Sequence, residues 1–231
     1  MFQLIVISIA TMLPGEAAII HQLFDEGLEL FHLRKPGAEE QAVRQLIEAI
    51  PAVYLNRIVM HGFFHLMEEY GMHRLHLREE HRQKLEREGF PFDGTAAAAE
   101  LARVGLRQLA NDPSKCTLST SVHDLQTLQQ LPSIFEYTFF SPVFDSISKL
   151  QYKGVAGDDF YLKDEQKAVP VIALGGIDVS NIEKVDKMNF DGAAILGALW
   201  NDPAKAVDNF KELKIYADGI WLDRQIRYRR M

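Results

Sequence analysis

His123 sits between the strand expected at 116–121 and Asp124, a residue type that opens helices, so its imidazole stands where a strand hands over to a helix. An imidazole titrates near neutrality and can take and return a proton without a metal, which makes His123 the candidate catalytic residue. The competing account is a helix-start histidine bonded to backbone, and the position at a strand end favours the catalytic one. A second chemistry is anion binding. The runs Val171-Ile172-Ala173-Leu174 and Ala193-Ala194-Ile195-Leu196 each close on glycine, Gly175-Gly176 in one case and Gly197 in the other. Glycine lets backbone N–H groups come close to an anion, and two such strand ends one βα unit apart make a phosphate cradle. Arg34 and Lys35, His61, Ser121, and Ser146, Ser148 and Lys149 follow other apolar runs. Cations, hydroxyls and bare amides at successive strand ends are what a phosphorylated small molecule requires.

Other residues are weighed and set aside. His61, His65, His73, His76 and His81 crowd one part of the chain, and His61 with His65 has the i, i+4 spacing that can hold zinc. No third cysteine or carboxylate ligand is spaced convincingly, so no metal and no cofactor are expected, and these histidines read as surface or helix-packing residues. The charged run from Glu79 to Arg87 reads as a solvated helical face. Phe139 and Phe140 read as core, and Phe144 as a cover for an apolar ring.

The elements that must position these groups alternate in type. Apolar, β-branched stretches are expected as strands at 3–9, 29–33, 57–60, 74–77, 116–121, 135–140, 171–174 and 193–196. Helical patterns are expected at about 14–24, 38–50, 64–71, 79–113 with an insertion, 124–128, 158–167, 179–188 and 204–213. Eight strands alternating with helices predict one α/β domain over residues 1–231, a (β/α)8 TIM barrel, with an insertion at about 79–113 and a C-terminal extension at about 215–231. An open doubly wound sheet is the runner-up, but the first βα turn lacks its glycine fingerprint.

Composition bounds the partners. The chain has 231 residues, 47% of them hydrophobic, and a formal charge of −7, which argues against nucleic acid despite Arg224, Arg227, Arg229 and Arg230 near the end. That basic end reads as solvated or as a subunit contact, which leaves a homo-oligomer open. Cys116 is the lone cysteine, no apolar run approaches the roughly 18 residues of a membrane span, and no secretory pattern opens the chain. A cytoplasmic protein without membrane partners is expected.

Five stretches together resemble the thiamine-phosphate synthase and TenI family: Phe31-His32-Leu33-Arg34-Lys35, Ser121-Val122-His123, the run from Ser141 to Lys149, the run from Pro170 to Ile177, and the run from Asp191 to Gly197. The resemblance covers residues 4 to about 213 and implies a TIM barrel. It implies either a synthase joining a pyrimidine diphosphate to a thiazole phosphate, or a TenI-type enzyme that aromatises a thiazole carboxylate phosphate by moving a proton. On that likeness His123 would move the proton. Gly175, Gly176, Leu196 and Gly197 would hold the phosphate, and Arg34, Lys35, His61, Ser121, Ser146, Ser148 and Lys149 would line the substrate. Synthases carry Asn-Asp after strand three and an aspartate after strand four, whereas this chain has His61-Gly62 and then Glu80 or His81. A hard Mg²⁺ wants carboxylate oxygens. The resemblance therefore leans to the metal-free TenI branch; the synthase alternative would use Mg²⁺ held by Glu80 or by substrate phosphates. A non-catalytic barrel binding a thiamin-related phosphate is the remaining alternative.

Overall fold

The computed structural model describes residues 2–89, 92, 116–145, 154, 157 and 159–228. Strands β1 (Gln3–Ile7), β2 (Leu30–Leu33), β3 (Ile58–Met60), β4 (Arg74–Leu77), β5 (Thr117–Val122), β6 (Phe135–Phe140), β7 (Val171–Leu174) and β8 (Gly192–Ile195) pair in parallel, each with the next. β8 returns to β1 with Ile5 opposite Ala194, and the sheet closes into the TIM barrel that the alternating pattern predicts.

Period-two alternation sorts every strand into an outer and an inner row. The outer row (Val6, Phe31, Leu33, Ile58, Met60, Leu75, Phe140) packs with Ile20, Leu23, Val43, Leu66 and Phe210 in the main core. The inner row is a smaller apolar plug of Ile5, Ile7, Leu30, Val59, Tyr137, Phe139, Ile172 and Ala194.

The helices are α1 (Glu16–Asp25), α2 (Glu40–Glu48), α3 (His65–Glu69), α4 (Glu79–Arg87), α5 (Leu125–Gln129), α6 (Ile182–Lys187), α7 (Gly197–Trp200) and α8 (Ala206–Tyr228). Asp124 caps α5 as its residue type predicts, its carboxylate accepting from the Thr127 N–H at 2.7 Å. Two expectations are corrected. Within 158–167 the described residues hold a single 3₁₀ turn, Asp164–Gln166, because Phe160 and Leu162 are drawn inward as a strap, Phe160 stacking on Phe140 and Phe190. The last helix runs well past residue 213, since buried Phe210, Leu213, Ala217 and Ile220 keep a helical stripe going through it. Arg224 on that helix donates to Asp186 at 2.6 Å and to the Phe190 carbonyl at 2.6 Å, so this part of the basic end is an intrachain staple. The solvated face expected at 79–87 is also half wrong: Arg82 is buried and ion-paired with Glu86 at 2.5 Å. No described helix is long and apolar enough to cross a membrane. Most of the insertion, from residue 93 to residue 113, lies outside the described residues.

Candidate functional site

At the carboxyl ends of β2, β3 and β4 the inner row turns from apolar to imidazole. His32 and His76 stand two residues beyond Leu30 and Arg74 on their strands, and His61 two beyond Val59, so the alternation that buries Leu30 and Val59 sends all three rings into the lumen. His61 and His76 stack with centroids 4.2 Å apart, and His32 meets both edge-on at 5.1 and 5.5 Å. His32 Nδ1 shares a hydrogen bond of 2.8 Å with His61 Nε2, and its Nε2 one of 2.6 Å with the Tyr137 hydroxyl. His76 holds Ser119 and Ser121 through its two nitrogens, each at 2.9 Å. Burial drives all three imidazoles towards the neutral form, with Arg34 and Arg78 adding to it at His61 and His76; His76 is pushed down to about 3.

Beside His61 a cavity of about 260 Å³ opens between the exits of β2, β3 and β4, lined by Arg34, Gly62, Phe63 and Arg78 among others. Neither guanidinium, of Arg34 or of Arg78, donates to a described residue, so both are free for an anion. Lys35 is not. Its ammonium lies within 2.6 Å of the Glu16 carboxylate and donates to the carbonyls of Ile9 and Thr11 at 2.9 and 2.8 Å, with 1% of its side chain exposed. The expected substrate contact is instead a buried tie between the β1 exit and β2. Burial pulls the Lys35 ammonium below its usual range and Glu16 above its own, each opposed by the partner.

His123 lies just past β5, exposed at the mouth, with Nδ1 against the Glu79 carboxylate of α4. A carboxylate only accepts, so in that contact the proton sits on Nδ1. Glu79 also lies 3.6 Å from Arg82. Ser121, two residues earlier, faces the lumen on His76. β7 and β8 lie side by side, Leu174 opposite Ala194, so their glycine exits are neighbours. Gly175 and Gly176 have φ of 106° and 66°, and a Cβ at Gly176 would fall 2.4 Å from the Asp145 carbonyl. The glycines are thus required by the packing of this turn on the β6 exit, beyond any role towards an anion. Leu196, partly buried, packs against both the main core and the inner plug, and Gly197 opens α7. Ser146, Ser148 and Lys149 lie outside the described residues.

The donors at the β3 and β4 exits do not suit Mg²⁺. His61 and Gly62 offer no carboxylate, and Glu79 is engaged by His123 and Arg82, so Glu80 alone cannot build an octahedral oxygen site. The i, i+4 pairing of His61 with His65 also fails: His61 precedes α3, while His65 opens it and pairs outward with Glu40 at 3.0 Å. His32, His76, Ser119, Tyr137, Arg78 and Glu79 are site residues missed by expectation. Reading Leu30-Phe31-His32-Leu33, Val59-Met60-His61 and Arg74-Leu75-His76 as parallel period-two rows would have found the three histidines.

Comparison with known proteins points one way. Residues 103–199 match the family model described as thiamine monophosphate synthase. A thiamine-phosphate synthase of Hydrogenobaculum sp. is 28% identical over 127 residues, 51% of this chain and 59% of that protein. One from Anoxybacillus flavithermus is 29% identical over 85 residues, 36% of this chain and 39% of that protein. The chain thus matches less than two thirds of the length of these curated relatives. Among solved structures, a thiamine phosphate pyrophosphorylase from Bacteroides thetaiotaomicron superposes with a TM-score of 0.68 at 27% identity, covering 94% of this chain and 98% of that one. A Pyrococcus furiosus structure with a TM-score of 0.66 at 15% identity shows the shared fold.

Proposed function

From the chain's place in the thiamine-phosphate synthase/TenI family, we propose that it acts in thiamine biosynthesis on a phosphorylated thiazole, and that its reaction is a metal-free proton transfer of the thiazole-tautomerase type. The observation that carries this reading is the His123–Glu79 pair at the mouth, beside an exit set that lacks the oxygen donors of a magnesium site. Glu79 holds the Nδ1 proton, so Nε2 of His123 removes a proton from one position of the bound ring and returns it at another. No atom is lost or gained and the imidazole ends as it began. The substrate phosphate lies against the backbone at Gly175, Gly176, Leu196 and Gly197. Arg34 and Arg78 hold the carboxylate at the other side. Ser121 lines the floor.

A second reading, thiamine-phosphate synthase, is favoured by the names of the relatives. It needs a pyrimidine diphosphate in the cavity between Arg34 and Arg78 and a cation to neutralise the departing diphosphate. Purified protein is incubated with the thiazole carboxylate phosphate alone, and with pyrimidine diphosphate plus thiazole phosphate, each with Mg²⁺ and with chelator. Isomerisation that persists in chelator is the expected outcome. Diphosphate release that requires Mg²⁺, without isomerisation, would replace the first reading by the second.

A further inference from the structure

His32, His61 and His76 converge from three adjacent strands, and one ring nitrogen from each lies within 4.8 Å of the others. We propose that this trio is a binding site for a divalent transition-metal cation of borderline softness, such as Zn²⁺ or Co²⁺, open on the side of the Arg34 and Arg78 cavity. The proposal is independent of the reaction assigned above.

Three observations carry it. The first is the donor set: three imidazoles on rigid strand ends, with further positions left open, is the pattern of a borderline cation that also takes an external ligand. The second is proton accounting. One proton lies between His32 and His61, and one ring nitrogen of His32 faces the Tyr137 hydroxyl. If His32 donates to His61, the Nδ1–H of His61 has no acceptor; if His61 donates, its Nδ1 is a bare lone pair. In both arrangements this buried nitrogen has no partner among the described residues. A buried nitrogen left unpaired is costly, and a native site that keeps one calls for a missing occupant. The third is support around the rings. Tyr137 holds His32 through the nitrogen turned from His61, and Ser119 and Ser121 hold the two nitrogens of His76; one serine would yield its nitrogen to the cation while the other keeps the ring oriented, as outer-shell partners do at metal centres.

Arg34 and Arg78 lie close enough to repel a bare cation. An anionic group of the ligand, bridging the cation and the two guanidiniums, would offset that repulsion, so metal affinity should rise when phosphate is present.

The test uses the full chain stripped with chelator. Zn²⁺ is titrated against a chromophoric competitor, with and without inorganic phosphate, and Co²⁺ is followed by its visible ligand-field bands. The expected result is one equivalent bound per chain, with Co²⁺ bands typical of four or five ligands. His61→Asn and His76→Asn should each weaken binding by more than the about 10–100-fold that loss of an outer-shell partner costs, and Tyr137→Phe by about that amount. His65→Asn, altering an exposed histidine outside the trio, should bind as the parent does. Circular dichroism establishes that each variant is folded; if one histidine variant fails to fold, the other carries the comparison. Failure of the parent chain to take up either metal with or without phosphate would overturn the proposal. So would affinity unchanged in both histidine variants, or lost in His65→Asn.

Discussion

Acidifying the protein from about pH 7.5 to about 5.5 should remove a large and calculable part of its stability. In the unfolded chain each of His32, His61 and His76 takes up a proton near the ordinary imidazole value, about 6.5. In the folded protein burial holds all three well below that value, and His76, at about 3, stays unprotonated through this window. The sign follows: the unfolded state binds more protons, and stability is whole above about pH 6.5 and falls as pH drops. His76, at about 3, then costs on the order of 1 kcal/mol between the two pH values, and His32 and His61, lowered in the same direction, add to that loss. His73 and His81, also lowered by burial, add smaller contributions of the same sign. Asp124 and Asp164, held low by hydrogen bonds, lose their contributions only below the window. Glu16, raised by burial, works in the opposite sense, its stability falling as pH rises. Urea denaturation at closely spaced pH values measures the slope, which should be positive throughout this window, stability rising with pH. His76→Asn should lower that slope by about one proton. A flat profile, or a slope unchanged in that variant, would refute the account of these lumenal imidazoles as buried and neutral.

Lys35→Met leaves the Glu16 carboxylate buried without its cation, and a cost of about 3–5 kcal/mol is expected in thermal or urea unfolding, with ligand affinity of the folded protein unchanged. Gly176→Ala places a methyl 2.4 Å from the Asp145 carbonyl at a φ of 66°, and should cost about 1–3 kcal/mol by the same measurement while weakening phosphate binding. Arg34→Ala and Arg78→Ala should each weaken an anionic ligand by about 1.5–3 kcal/mol in calorimetry, with the effect shrinking as salt is added. Glu79→Gln should keep substrate affinity but lower turnover, since the amide no longer fixes the imidazole tautomer; steady-state kinetics separates the two.

The barrel was legible because most buried parallel strands read as apolar runs and their helices as periodic ones; the helix expected at 158–167 was the exception, since Phe160 and Leu162 turn inward there. The last helix was undercounted at residue 213 because Gly219 and the charged residues beyond it hid a stripe that Ala217 and Ile220 continue. Around the candidate site local order was legible: the helix-capping Asp124 after His123, and the glycine turn after β7. It was illegible where it depends on closure. Nothing near Lys35 in sequence announces Glu16, and the pairing exists because β1 and β2 lie side by side. His32 was passed over for the same reason: its partners His61 and Tyr137 arrive from β3 and β6, 29 and 105 residues away.

Proton exchange at the substrate ring tests the central claim most directly. The thiazole carboxylate phosphate is incubated in D₂O with chelator present and followed by NMR, using the parent chain and His123→Asn. The account predicts deuterium entering the ring as it isomerises with the parent chain, and a loss of about 10²–10⁴-fold in that rate with the variant, ligand affinity being retained. Equal rates for the two proteins, or no exchange until Mg²⁺ and a pyrimidine diphosphate are supplied, would contradict it.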